Sequence, residues 1–381
     1  MTAASTTPVA EAPVDTPGTP MIGGAMLPYW SLAVPLLGLA ALAGGLAYYG
    51  WAGIAGAALV MMGCVLAAVH HAEVVAHKVG EPFGTLVLAI AVTVIEVSLI
   101  VSMMLSDAGD ASVLARDTVF AAIMIILNGI VGICLLMGGV RHHEQQFVLR
   151  GVSAALCVLA AMAVLSLVLP NFTSSAPGPF FSPAQLAFTA VISLVLYGTF
   201  VLVQTVRHRD YFLPADDNDP HGEAHAEPPT ATQTWIAVAA LVVALVGVVL
   251  LAKKLSPTLE AAVIGAGLPL AVVGVMIAAL VLAPESLAAV KAARRNRLQT
   301  SLNLALGSAL ATIGLTIPTV AIVSLVMGWS LSLGIDAKAM TLLALSLIVA
   351  TLSLGTGRTT VLQGIVHLVI FFAYLFTTVV P

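Results

Sequence analysis

The 381-residue chain is 60% hydrophobic and only 8% charged, with a formal net charge of −4. Soluble domains carry about 25% charged residues, so the composition excludes a water-soluble globular protein, and so small a net charge gives no basis for a nucleic-acid partner. Cys64, Cys134 and Cys157 are an odd number placed inside apolar runs, which excludes a disulfide framework and a structural zinc site.

Residues 1–27 are polar and rich in Pro and Thr, without a basic n-region or a small-residue cleavage site; they read as a disordered cytoplasmic tail and not as a cleaved signal. Apolar runs follow at 29–50, 53–77, 83–105, 118–140, 148–170, 184–206, 234–252, 269–290, 302–328, 339–356 and 361–380. Each has roughly the length a helix needs to cross about 30 Å of hydrocarbon. An open sheet there would leave backbone groups unpaired in lipid, so the runs are helices. The expectation is an all-α polytopic membrane protein of about 11 transmembrane helices. A leading helix (28–51) precedes a first five-helix repeat (52–206), a linker (207–233) and a second five-helix repeat (234–381). The Gly- and Pro-containing stretch 257–268 leaves room for a further short or tilted element.

With the N-terminus inside, ten of the fourteen basic residues fall in inside connections, among them Lys78, Arg141, Arg150, Arg207, Arg209, Arg294 and Arg358, and only Arg116, Lys253, Lys254 and Lys338 fall outside. This asymmetry predicts a multi-pass protein of the inner (plasma) membrane with a cytoplasmic N-terminus and a periplasmic or extracellular C-terminus. The cluster Lys291 to Arg297 then serves as a topology anchor, with lipid as the surrounding partner; self-association into a homo-oligomer stays open. The linker contains Asp216, Asp217, Asp219, His221, Glu223, His225 and Glu227 between prolines. It reads as a solvated connection, with a weak divalent-cation site as the rival, since hard cations prefer oxygen ligands.

Glu96 falls near the middle of the third run and Glu285 in the second half of the eighth, and neither has a Lys or Arg within four positions. An ionisable group at membrane depth is costly unless it faces a cavity, pairs or is neutralised, which makes both functional candidates. Five runs separate them, so the two halves enter the membrane in opposite directions, a plan that puts a site at the midplane between them. Thr93 precedes Glu96 by three positions on the same helix face. Ser98, Asn128, Asn303, Ser308 and Thr312 are further candidates to line or gate a cavity. Pro284 removes a backbone donor and frees a carbonyl for a cation where its helix breaks, and Pro318 with Gly314 could do the same. Glu73 and His77 form an i, i+4 pair at the cytoplasmic end of the second run, suited to the mouth of a pathway or to pH sensing. No HExxH or phosphate-binding loop is present, which argues against a zinc hydrolase and an ATP-driven pump.

These residues resemble the calcium/proton exchangers of the cation/calcium exchanger superfamily, most closely the bacterial ChaA-type antiporters. The likeness rests on His70-His71-Ala72-Glu73 with Gly80-Glu81-Pro82-Phe83-Gly84, on Glu96-Val97-Ser98-Leu99-Ile100, on Pro284-Glu285 followed by Asn303-Leu304-Ala305-Leu306-Gly307-Ser308, and on Gly355-Thr356-Gly357-Arg358-Thr359 with His367. It implies that Glu96 and Glu285 bind the transported cation and exchange it for protons. Where the wider family has Gly-Asn before each glutamate, this chain has Val92-Thr93 and Val281-Leu282. The amide ligands are missing, and a looser oxygen cage suits sodium and potassium as well as calcium.

The mechanism expected is competition: a bare carboxylate is costly at that depth, and a proton or a metal cation each relieves the cost. Glu96 and Glu285 are then the shared ligands of cation and proton, helped by Thr93, carbonyls near Pro284 and the Ser308 hydroxyl, with no resident cofactor. The alternatives are an uncoupled cation channel and, further off, an intramembrane metalloenzyme.

Overall fold

The computed structural model describes residues 27–46, 50–80, 83–104, 111–213 and 229–381. Most of the predicted tail, Glu81 and Pro82 of the glycine-containing motif, and the acidic core of the linker lie outside the described residues.

Among the described residues the chain forms eleven helical rods. The leading helix α1 is Tyr29–Ala43. The first set of five comprises α2 (Gly50–Val79), α3 (Phe83–Met104), a rod made of α4 (Ala111–Met124) and α5 (Val131–His142) joined by a π turn at Ile125–Ile130, α6 (Leu149–Ala163) with its extension to Phe172, and α7 (Pro183–Leu202) with its extension to Arg207. The second set comprises α8 (Ala231–Gly265), α9 (Ala271–Arg294), a rod made of α10 (Leu298–Ala311) and α11 (Ile317–Met327) joined by a π turn at Thr312–Thr316, α12 (Ala337–Ser353) and α13 (Val361–Val379). Eight of these helices are long and apolar enough to cross a membrane, and three shorter apolar stretches complete the eleven. The two sets match rod for rod: each carries its glutamate in its second rod, fourteen residues into α3 and fifteen into α9, and a π turn in its third. An odd number of rods per set reverses the second against the first, giving the inverted plan.

Two sequence expectations change. The leading helix stops at Ala43, well short of residue 51, because Gly44 and Gly45 turn the chain, the latter at φ +61°. The seventh rod does not end at 252; α8 runs unbroken for 35 residues through Lys253, Lys254 and Pro257 to a turn at Gly267 (φ +72°), and 257–268 makes no separate element. The all-α architecture holds, with one short ladder in its connections: β1 (Gln145–Gln146) pairs antiparallel with β2 (Arg358–Thr359), tying two connections at one end together. The neighbouring Arg358–Glu144 ion pair, 3.2 Å and well exposed, adds little stability.

The two ends differ. At the end carrying the basic connections, Gln145 donates to the Ala293 carbonyl at 3.0 Å and Gln299 accepts from the Val148 N–H at 2.7 Å. At the opposite end the connection after α11 folds inward. Leu331, Leu333 and Ile335 are buried. Its backbone bonds to Ser112, Leu167 and Pro179. Arg116 donates to the Gly334 carbonyl at 3.0 Å and Asn171 to the Ile335 carbonyl at 2.9 Å. That end is sealed.

Candidate functional site

A cavity of about 380 Å³ opens from the basic end toward the middle of the bundle, lined by α3, α7, α10, Glu285 of α9 and the turn after α7. At roughly 30 Å³ per water it has space for about a dozen waters, far more than one ion needs. Glu96 and Glu285 both line it, with Thr93, Asn303, Ser308 and Thr312.

Glu96 is 3% exposed, and the Thr312 hydroxyl donates to its Oε2 at 3.0 Å. Its Oε1 has no partner among the described residues, and neither has Oε2 of Glu285. Buried carboxylate oxygens are ordinarily hydrogen-bonded, so these two are exceptions on residues that line one cavity. The charges of Glu96 and Glu285 are close enough to interact, and Glu73 lies within electrostatic reach of Glu285.

The π turn explains how Thr312 arrives. Pro318, at the start of α11, cannot donate to the Gly314 carbonyl, and the helix takes up the mismatch by widening over Thr312–Thr316; such widenings recur at functional sites. The turn also brings Thr316, fully buried, beside Glu96. Gly314 permits the close approach: a Cβ there would lie 2.5 Å from Cβ of Tyr197, which lines the cavity. At Pro284, by contrast, α9 continues without a break to Arg294. The expectation of a broken helix is corrected there, since neighbouring intrahelical bonds carry it past one missing donor. Pro284 does not line the cavity; only its neighbour Glu285 does.

Ser98, Glu73 and His77 do not line the cavity either. Asn303 does, but its amide is committed: Nδ2 donates to the Phe212 carbonyl at 2.6 Å and Oδ1 accepts from Gln299 at 2.9 Å. Asn128 belongs elsewhere. Fully buried in the first π turn, it donates to Ser346 at 2.8 Å and meets Nδ1 of His367 at 3.3 Å, while Nε2 of His367 meets Ser353 at 2.8 Å. This polar chain ties α12 and α13 to the third rod. Because Asn128 spends its N–H on Ser346, its oxygen accepts from His367, which fixes a neutral ring as the Nδ1–H tautomer. His367→Leu is expected to remove one partner each from Asn128 and Ser353, cost about 1–2 kcal/mol by the scale of membrane-buried polar contacts, and lower the unfolding midpoint in detergent with the cation KM unchanged.

Sequence reasoning missed the wall supplied by α7 and the turn after it: Tyr197, Phe200, Gln204, Thr205, Arg209 and Phe212. The polar pair Gln204-Thr205 near the end of an apolar run was the one available signal.

Helical rods in two matching sets around a cavity lined by two glutamates are the plan of a secondary transporter. A family model described as sodium/calcium exchanger protein matches residues 49–206 and 236–380, and the chain belongs to that family. It is 50% identical over 368 residues to the y4hA protein of Sinorhizobium fredii (strain NBRC 101917 / NGR234), whose name assigns it only to ionic transport, covering 94% of this chain and 98% of that one. It is 38% identical over 315 residues to the sodium-potassium/proton antiporter ChaA of Escherichia coli (strain K12), covering 81% and 84%. Among solved structures, native YfkE superposes with a TM-score of 0.71 at 15% identity over 93% of this chain and 99% of that one, and the H+/Ca2+ exchanger CAX with 0.68 at 16% over 91% and 88%; these two show the shared fold.

Proposed function

We propose that this cation/proton antiporter of the inner membrane exports cytoplasmic calcium, sodium or potassium in exchange for protons, with Glu96 and Glu285 as the shared binding groups. The observation that carries the reading is that Glu96 and Glu285 line one cavity and each keeps a buried carboxylate oxygen, Oε1 and Oε2 respectively, without a hydrogen-bond partner among the described residues. The names of the relatives support it: besides the sodium-potassium/proton antiporter, a Ca(2+)/H(+) antiporter of Aphanothece halophytica is 26% identical over 281 residues.

A cation entering the cavity takes the two carboxylates, the Thr312 and Ser308 hydroxyls and water as ligands. Few protein oxygens means an incomplete cage, which suits weakly selective binding, because calcium asks for six to eight oxygens. Coupling follows from electrostatics. Two bare carboxylates within reach of each other at membrane depth repel and are costly to move through a state closed to water, so the carrier reorients only when a cation or protons neutralise them. With the cavity reached from the basic end and the 328–336 connection folded inward at the other, the positive-inside rule supports reading this as an inward-facing form. Opening the far end requires release of the Arg116–Gly334 and Asn171–Ile335 bonds.

The test is dissipation of a preset pH gradient in proteoliposomes on adding calcium, sodium or potassium. Wild type should respond, and Glu96→Gln and Glu285→Gln should not. Cation flux that ignores the pH gradient would replace the reading with an uncoupled channel.

A further inference from the structure

Three charged side chains line the cavity, and the third is a cation. Arg209 stands at the mouth of a path that leads to Glu96 and Glu285, and no carboxylate pairs with it among the described residues. Its position is built. Arg209 sits in a single turn, Arg209–Tyr211, whose Phe212 is 7% exposed and packs edge-on against Phe200 at 5.8 Å. The Phe212 N–H donates to the Arg209 carbonyl at 3.0 Å, and the Phe212 carbonyl accepts from Asn303 at 2.6 Å. On the other side Tyr211 stacks on His208 at 4.8 Å and takes the Arg150 guanidinium over its ring at 5.4 Å. The backbone of Arg209 is therefore bolted to α6, α7 and α10, and only its side chain is at liberty over the entrance.

We propose that Arg209 is a charge filter that biases this cavity toward monovalent and against divalent cations, an inference that rests on the reading that transported cations enter here. The reason is the charge dependence of Coulomb repulsion. A fixed positive charge raises the energy of an approaching ion in proportion to that ion's valence, whatever the distance and dielectric constant. If removing it increases the apparent affinity for a monovalent ion by some factor, the affinity for a divalent ion increases by the square of that factor. At a separation of about 10 Å in water-like surroundings the factors are about twofold and about fourfold. Size and coordination chemistry obey no such rule, so the relation identifies the cause. Asp210, beside Arg209 but not lining the cavity, offsets the repulsion only in part.

The experiment measures KM for sodium, potassium and calcium in proteoliposomes containing wild type, Arg209→Lys, Arg209→Gln and Arg209→Glu, at low ionic strength and again with a high concentration of an inert organic salt. Arg209→Lys should behave as wild type. Arg209→Gln should lower KM about twofold for sodium and potassium and about fourfold for calcium, Arg209→Glu should repeat both factors, and Vmax should hold. High salt should compress the differences by screening. Equal shifts for ions of both valences, no shift, or a loss of Vmax in Arg209→Gln without a charge-ordered KM would overturn the filter. Glu96→Gln and Glu285→Gln in the same vesicles separate the two failures: transport retained there removes the cavity reading and the filter with it, whereas transport lost there with a flat arginine series removes the filter alone.

Discussion

Glu96→Gln is expected to abolish cation-coupled proton exchange, by about 100-fold or more, in a protein that still folds and inserts. The amide has nearly the shape of the acid and can still accept the Thr312 hydrogen bond at the Oε2 position. What it lacks is the negative charge that draws a cation and the proton that leaves when the cation binds. A hydrogen bond to a charged group is worth about 1.5–3 kcal/mol, so Thr312→Val, which deletes one hydroxyl and keeps the carboxylate, should raise the cation KM by about one to two orders of magnitude with exchange still coupled. The two variants separate a proton-exchanging ligand from a positioning group. Vesicle pH-gradient dissipation for the three cations, beside protein yield and unfolding midpoint, reads both. Coupled exchange surviving in Glu96→Gln would remove that residue from the site.

Gly364→Leu is expected to have the largest effect on stability, above about 3 kcal/mol, with little folded protein recovered. A Cβ at Gly364 would lie 2.5 Å from the Leu136 backbone nitrogen and 2.9 Å from the Gly132 carbonyl oxygen. Backbone cannot swing aside as a side chain does, so the last rod must separate from the third. Gly132 faces the same seam, with Leu368 and His367 at about the same closeness, and the Asn128–His367 bond crosses it. Small residues let membrane helices approach where no hydrophobic force drives them together. Gly307 is the control: nothing lies within 4 Å of a Cβ there, so Gly307→Ala should keep or slightly raise the unfolding midpoint, as alanine favours a helix interior by up to about 1 kcal/mol. Size-exclusion thermal challenge in detergent compares the two. A Gly364→Leu protein as stable as wild type would mean the seam is open in solution.

Much of this protein was legible in one dimension. Eleven rods follow from run length and the 1.5 Å rise per residue, and their alternation from the basic residues. The depth of Glu96 and Glu285 follows from counting along their runs, and depth makes a carboxylate expensive wherever it points. Thr93, Ser308 and Thr312 were candidates on spacing and do line the glutamates' cavity. Direction around the helix axis was not legible. Asn128 and Asn303 are both amides within apolar runs, yet one closes a buried chain through Ser346 and His367 and the other pins the turn that carries Arg209. Pro284 and Pro318 are both interior prolines, yet α9 absorbs the first while the second adjoins a widened turn that delivers Thr312. Gly307 and Gly364 look alike in sequence, and one faces open space while the other touches backbone. A sequence records how far along a rod a residue lies, because rise is nearly constant; which neighbour it meets depends on the rotation and crossing of each rod, settled by the packing of all eleven together.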